Sequence, residues 1–220
     1  SGEEYKSVGF HYQDEASQLI PYLLPIQPGW KIWDVCAAPG GKSAILSQRC
    51  GTSGRVIASD LKAERIRKLR QFLSIDGPRN TDLVLADASI SAPFAHEFDA
   101  VLADVPCSGM GTLRRNPEIK WNFEPAQWTS LQVLQKSILH HASEAVRFGG
   151  SLLYSTCSTE PEENELVVKH FLHTHPGFCL TRPVCPPGID KWTSADGMVR
   201  TFPSRHRWDG FFAALMIRCR

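Results

Sequence analysis

Strand-length apolar blocks and helix-length mixed stretches alternate along this chain. The apolar blocks fall at residues 32–35, 55–59, 82–85, 98–103 and 151–155, each the length of one strand. Residues 13–24, 42–49, 63–73, 125–147 and 161–173 read as helices. Asp14 and Glu15 suit the first turn of the first helix, and Pro25-Ile26-Gln27-Pro28-Gly29 breaks it. Pro125 suits position N1 of the long helix, and Gly149-Gly150 stops it. The helix at 161–173 is acidic early and carries Lys169 and His170 late, as the helix dipole favours. Residues 51–54 and Asp76-Gly77-Pro78-Arg79 read as turns. Residues 105–122 form a long loop, and a loop of that length in a compact domain is usually functional. Residues 176–209 read as irregular with short strands, and 211–217 as a last apolar strand. This alternation predicts an α/β fold, a parallel sheet wound on both faces.

Composition narrows the class without naming a chemistry. With 220 residues, 42% hydrophobic and 21% charged, the chain suits one soluble domain over residues 1–220, with 1–12 as a polar lead-in. No apolar run is long enough to span a bilayer as a helix, and no secretory segment opens the chain. Ser1-Gly2 reads as an expression scar. The net charge of +1 is neutral about nucleic acid, because binding needs a local patch rather than a basic average. Seven cysteines without a Cys-x-x-Cys argue against a disulfide framework and a standard zinc site. A reducing, cytoplasmic location follows as the simplest expectation. His173 and His175 lack metal-ligand company in the sequence, and no metal is expected.

The candidate chemistry starts at the first apolar block. Residues 32–43 read as strand, sharp loop and helix start, with Pro39, Gly40 and Gly41 allowing a tight turn and a close backbone approach. Such a loop lies at the carboxyl edge of a parallel sheet, where α/β folds bind ligands, and the helix start offers free N–H groups. Gly41-Lys42-Ser43 ends like a Walker A loop, but Cys36 stands where that loop needs its first glycine. The dinucleotide pattern Gly-x-Gly-x-x-Gly is also absent. Asp60, Asp87 and Asp104 each close a predicted strand and should gather at the same edge.

Three segments then coincide with one family. Cys36-Ala37-Ala38-Pro39-Gly40-Gly41-Lys42, Asp104-Val105-Pro106-Cys107-Ser108-Gly109 and Ser155-Thr156-Cys157-Ser158 resemble the Sun-type (RsmB-like) RNA 5-methylcytosine methyltransferases. Gln13-Asp14-Glu15-Ala16-Ser17 and Asp209-Gly210-Phe211-Phe212 resemble two further motifs of that family, so that the likeness spans residues 9–217. The resemblance implies a class I methyltransferase fold with a mostly parallel seven-stranded sheet, S-adenosylmethionine as methyl donor, and cytosine in ribosomal or transfer RNA as acceptor. It implies that Cys36, Ala37, Ala38, Pro39, Gly40, Gly41 and Lys42 wrap the cofactor. Asp60 would accept the ribose hydroxyls with Arg65 in support, Asp87 would pair with the adenine amino group, and Asp104 would lie near the reacting methyl. Family members commonly carry an RNA-binding domain before the core, which this sequence lacks or has had trimmed.

The chemistry explains why two cysteines belong here. Carbon 5 of cytosine is a poor nucleophile until a thiolate adds to carbon 6, which divides one hard step into easier ones. The resemblance assigns Cys157 as nucleophile and Cys107 to product release, with the reverse assignment as rival and buried structural thiols as the plain alternative. Asp104 would hold the cytosine edge and assist proton transfer. Lys42 would contact the cofactor carboxylate or the active-site aspartate. For RNA, Arg114, Arg115 and Lys120 on the long loop and Arg200, Arg205, His206 and Arg207 near the tail are candidates, with Trp121 and Trp208 to stack on bases. The cluster Arg65, Arg67, Lys68 and Arg70 reads as a solvated helix face. Methylation of DNA or another substrate, and an RNA-binding module with a vestigial cofactor site, are the competing functions.

Overall fold

A computed structural model describes residues 13–74, 80–122, 124, 126–186 and 192–219. The predicted lead-in at 1–12, the turn at 76–79 and Pro125 lie outside the described residues. The first strands are β1 (Lys31–Asp34), β2 (Arg55–Asp60), β3 (Thr81–Leu85), β4 (Phe98–Asp104) and β5 (Val146–Thr156). They pair in parallel in the order β3-β2-β1-β4-β5. The sheet then turns antiparallel. The last strand, β8 (Phe212–Arg218), lies beside β5, and β6 (Phe178–Thr181) lies outside it. A two-residue strand, β7 (Val199–Arg200), also pairs with β8, so the expected seven-stranded path carries one short addition.

Alternating side chains bind a helical layer to each face. Trp33, Val101, Ala103, Leu152 and Tyr154 pack with α5 (Ala126–Glu144) and α6 (Glu165–Thr174) through Ile138, Leu139, Ala142, Val167, Val168 and Phe171. Ile32, Val56, Ala100, Leu102 and Leu153 pack on the other face with α1 (Glu15–Leu19) and α2 (Gly41–Cys50) through Leu19 and Leu46. Ala58 meets Leu69 of α3 (Ala63–Ser74). Among the described residues, no helix is long and apolar enough to cross a membrane.

Three boundaries differ from the sequence expectation. The helix expected over 13–24 is α-helical only from Glu15 to Leu19 and continues as a 3-10 turn, Ile20–Leu23. Pro21 has no N–H for an α-helical bond there. The helix expected to reach Arg147 stops at Glu144, and β5 begins at Val146 instead of Ser151. Gly149-Gly150 marks a register shift inside the strand, where pairing jumps from Phe98↔Val146 to Ala100↔Ser151. A Cβ on Gly150 would lie 3.0 Å from the Phe98 carbonyl oxygen, so the backbones meet where only glycine fits. The helix expected from Pro161 starts at Glu165, after a turn over 161–164.

The long loop after β4 is ordered by backbone contacts. It contains a 3-10 turn, Met110–Thr112, and a short helix, α4 (Ile119–Asn122). Gly111 N–H donates to the Cys157 carbonyl (3.0 Å), and Gly210 N–H donates to the Gly111 carbonyl (2.8 Å). A Cβ on Gly111 would sit 1.9 Å from the Gly210 carbonyl oxygen. Gly111→Ala must therefore push the loops after β4 and before β8 apart. Urea denaturation should show a loss of at least roughly 1–3 kcal/mol, the usual size of an overpacking penalty. An unchanged midpoint would mean that the loops are not held by this contact.

Candidate active site

The carboxyl edge of β1, β2 and β4 brings the predicted motifs together. Val35 N–H donates to the Leu102 carbonyl (2.9 Å) and Ala37 N–H to the Ser59 carbonyl (2.8 Å), so the loop after β1 is bound between β2 and β4. Gly40 has φ 124°, and a Cβ there would lie 2.8 Å from Leu69 Cδ1. The loop thus needs glycine for both conformation and space. Gly40 caps α2 without a side-chain acceptor, leaving the first N–H groups of that helix facing the loop.

A cleft opens here, lined by Cys36, Ala37, Ala38, Pro39, Gly41, Lys42 and Asp104 among the residues expected to bind the cofactor. Asp34, Gln13, Ser17 and Phe72 complete its lining. Asp60 and Arg65 meet its lining at Ala38, whereas Asp87 follows β3 and is not among the lining residues. Asp60 is buried and accepts from Ala38 N–H (3.3 Å), while Arg65 reaches it with Nε (3.4 Å) and donates to the Ala38 carbonyl (3.3 Å). Asp87 opens the turn after β3, its Oδ1 accepting from Ser89 N–H (2.9 Å) and Oγ (2.6 Å).

At the inner end of the cleft, Lys42 Nζ lies 2.8 Å from Asp104 Oδ2 and donates to Ser17 Oγ (2.9 Å). The active-site aspartate, one of its two expected partners, is therefore in contact. Ser155 Oγ donates to Asp104 Oδ1 (2.7 Å). Burial alone would pull the Lys42 ammonium down, but Asp104 outweighs it and the net shift is upward. Burial, with the nearby aspartates, pushes the Cys36 thiol well up, so it stays protonated.

The two expected cysteines meet. Cys107 Sγ and Cys157 Sγ are 3.1 Å apart, and Cys157 N–H donates to Cys107 Sγ (3.3 Å). Their acidities separate. The hydrogen bond from Cys107 pulls the Cys157 thiol down against burial, with the Lys42 ammonium helping. The same bond, together with burial and the Glu163 carboxylate, pushes Cys107 up. Of the two, Cys157 is therefore the one more readily ionised, with Cys107 placed to donate to it.

Asp34 and Glu163 were missed by sequence reasoning. Asp34 ends β1 as Asp60 ends β2 and Asp104 ends β4, so its position carried the same signal. Glu163 read as one acid in the acidic start of a helix. It is fully buried and accepts from Ser108 N–H (2.8 Å), Ser108 Oγ (2.5 Å) and Gln135 Nε2 (2.9 Å). No local pattern distinguishes it from Glu162.

The cations expected to meet RNA divide into two sets. Arg115 donates to Asp209, which is fully buried, and Arg114 donates to the Arg207 carbonyl (2.9 Å). Arg200 is held by Glu165 and Asp196. Trp208 packs edge-on against Trp192, ring centroids 4.4 Å apart, and His206 Nδ1 accepts from Phe202 N–H (2.8 Å). These side chains have structural duties. Lys120, Trp121, Arg205 and Arg207 are exposed, Trp121 by 81%.

The profile of the family described as 16S rRNA methyltransferase RsmB/F matches residues 21–217. The probable ribosomal RNA small subunit methyltransferase B of Synechocystis sp. is 36% identical over 213 residues, 92% of this chain and 46% of that protein. Ribosomal RNA small subunit methyltransferase F of Escherichia coli (strain K12) is 33% identical over 212 residues, 94% of this chain and 44% of that protein. The chain thus spans less than half the length of these relatives. The crystal structure of NSun6 from Pyrococcus horikoshii with SFG superposes with a TM-score of 0.83 at 28% identity, covering 96% of this chain and 53% of that one. A methyltransferase homolog protein from the same organism gives 0.78 at 31% identity, covering 94% and 68%.

Asp34 yields a pH prediction. Burial pushes its carboxyl up to about 7, opposed by the hydrogen bond from Ser43 Oγ (2.6 Å) and helped by the nearby Asp104 carboxylate. A carboxyl whose pKa rises on folding favours the folded state while protonated. That advantage is full below the unfolded value of 3.8 and fades as pH rises to about 7. Asp34→Asn, which keeps an acceptor for Ser43, should gain relative stability over that window and then level off. Urea titrations near about pH 5 and about pH 8 should show the larger gain at the higher pH, on the order of 1 kcal/mol or more. Equal differences at both would mean that Asp34 titrates normally.

Proposed function

The chain belongs to the 16S rRNA methyltransferase RsmB/F family, and from that premise we propose that it methylates carbon 5 of a cytosine in RNA through a covalent cysteine adduct. S-adenosylmethionine is the cofactor, and the residues present fit it. The cleft offers an uncapped helix N-terminus for a carboxylate. It also offers a buried carboxylate oxygen, Asp34 Oδ1, without a hydrogen-bond partner among the described residues. Asp60, with Arg65 against it, is the acceptor for ribose hydroxyls. When bound, S-adenosylmethionine supplies an electrophilic methyl group.

The observation that carries the reading is the thiol pair beside the Lys42–Asp104 ion pair. Cys157 adds as thiolate to carbon 6 of the ring, and the electron pair displaced toward carbon 5 makes that carbon nucleophilic. Cys107, held protonated, stabilises the thiolate before addition. After methyl transfer a base removes the proton from carbon 5, the pair returns to the ring, and Cys157 leaves. Cys107 assists that release. Asp104, fixed by Ser155 and Lys42, holds the polar edge of the base. Of the candidate RNA contacts, Lys120, Trp121, Arg205 and Arg207 are the exposed ones with no ion-pair partner among the described residues. The RNA class is ribosomal or transfer RNA.

Cofactor binding tests the first half. Calorimetry should show S-adenosylmethionine binding without RNA, and Asp60→Ala should weaken it by roughly 1.5–3 kcal/mol, the worth of a charged hydrogen-bond acceptor. Unchanged affinity would remove Asp60 from the site.

The cysteines test the second half. Cys157→Ser should give neither methyl transfer nor adduct, since a hydroxyl is a far weaker nucleophile than a thiolate. Cys107→Ala should instead accumulate an RNase-sensitive protein–RNA band on denaturing electrophoresis after incubation with cofactor and cellular RNA. A band with Cys157→Ser and none with Cys107→Ala would reverse the roles. Labelled methyl appearing in DNA rather than RNA would overturn the substrate.

A further inference from the structure

A second group of metal-ligating side chains lies away from the cysteines, at the C-terminal turn of α5. His141 and Glu144 are three residues apart and His140 and Glu144 four apart, spacings that place side chains over the same helical turn. One donor atom from each lies within 4.8 Å of the other two. The position is at the far edge of the sheet from the cleft. The Glu144 carbonyl accepts from His96 N–H, just before β4 begins, whereas Gln135 of the same helix reaches the Pro106 carbonyl beside Cys107.

The hydrogen bonds around His175 fix the state of His140. His175 Nδ1 lies 3.1 Å from the Phe171 carbonyl oxygen, which only accepts, so this nitrogen carries the proton. Thr174 Oγ1, 2.9 Å from the same nitrogen, donates its own proton to the His170 carbonyl (3.0 Å) and is free to accept. In the neutral imidazole, His175 Nε2 is then an acceptor. It lies 2.8 Å from His140 Nδ1, which must be the donor. The proton of His140 therefore sits on Nδ1 and its lone pair on Nε2. A backbone carbonyl thus sets the tautomer of an imidazole through a second one, the arrangement that orients metal-binding histidines. His141 Nδ1 is buried with no hydrogen-bond partner among the described residues.

We propose that His140, His141 and Glu144 bind a first-row divalent cation of the zinc class, with His175 orienting His140. Two imidazoles and one carboxylate suit zinc and its neighbours, whereas magnesium and calcium prefer all-oxygen sets. Three protein ligands leave a fourth position for water. A cleft between α5 and α6 opens at His140 and His175, with Lys136 on its rim donating to Gln132 Oε1 (2.9 Å). The effect of the ion is to tie the last turn of α5 to the preceding one through side chains three and four positions apart. The role is structural, because the site does not face the cysteines.

The test uses the full chain, stripped with chelator and kept reduced. Zinc should bind in calorimetry at one equivalent per chain and raise the melting temperature. His141→Ala and Glu144→Gln should each weaken it by more than about tenfold, as loss of a metal-site residue does. His173→Ala, an exposed histidine outside the cluster, should leave it unchanged. Cobalt should give a visible spectrum without a thiolate charge-transfer band. No binding of zinc, cobalt or nickel would overturn the proposal. So would binding that survives both substitutions, or a charge-transfer band, which would place the ion on cysteines instead.

Discussion

The site depends on one buried carboxylate. Cys107 follows β4 and Cys157 follows β5, and parallel pairing alone brings those strand ends only into the same neighbourhood. Glu163 does the rest. It takes the backbone N–H and hydroxyl of Ser108, and Gln135 joins it to α5 while also donating to the Pro106 carbonyl (3.0 Å). Ser108 Oγ in turn lies 3.2 Å from Ser158 Oγ, beside the second cysteine. Tyr154 fixes the backbone of Glu163 by donating to its carbonyl (2.5 Å). A buried carboxylate without a hydrogen-bond partner is strongly unfavourable, so each of these donors constrains the others. The result is a fixed separation between sulfurs, which no pairing of strands would set.

Charge is managed differently on the cofactor side. Asp34, Asp60 and Asp104 all end strands at one edge, and like charges so placed destabilise one another. Each is relieved by its own means. Asp104 has the Lys42 ammonium, Asp60 has Arg65 at the cleft's outer side, and Asp34 retains its proton toward neutral pH. Lys42 then acts on two groups at once, since the same ammonium that pairs with Asp104 also favours the Cys157 thiolate. The Cys157 thiol is thus drawn down with no histidine among the groups that chiefly act on it.

Legibility in the sequence followed the range of the interactions. The glycine loop, the strand-end acids and the two cysteines were readable because each is set by local backbone requirements or by a motif of a few residues. The sheet order beyond β5 was readable only as a count of apolar blocks. Gly149-Gly150 misled because glycines punctuate a helix stop and a strand irregularity alike. Arg115 was read as an RNA contact, since its partner Asp209 is 94 residues away and no periodicity joins them. Glu163 was unreadable for the same reason: its donors come from residues 28 and 55 positions distant.

That division bears on how RNA would be met under the proposed function. Arg115 cannot serve both RNA and Asp209, because releasing it would leave a fully buried carboxylate short of its charged partner. Arg114 is less committed, with its guanidinium 3.7 Å from Asp14 and 3.8 Å from Asp209. Together they bind the loop carrying Cys107 to the segments around Asp14 and Asp209, whose backbone N–H donates to Asp14 Oδ1 (3.1 Å). The loop is therefore rigid where it holds the thiol, and exposed where it carries Lys120 and Trp121. Lys120 Nζ lies over one face of the Trp121 ring, 5.5 Å from its centroid, a pairing that would offer stacking and charge without base-edge readout. Under the proposed function, these side chains would hold RNA by stacking and charge, and sequence preference would come from other contacts or from the shape of the RNA.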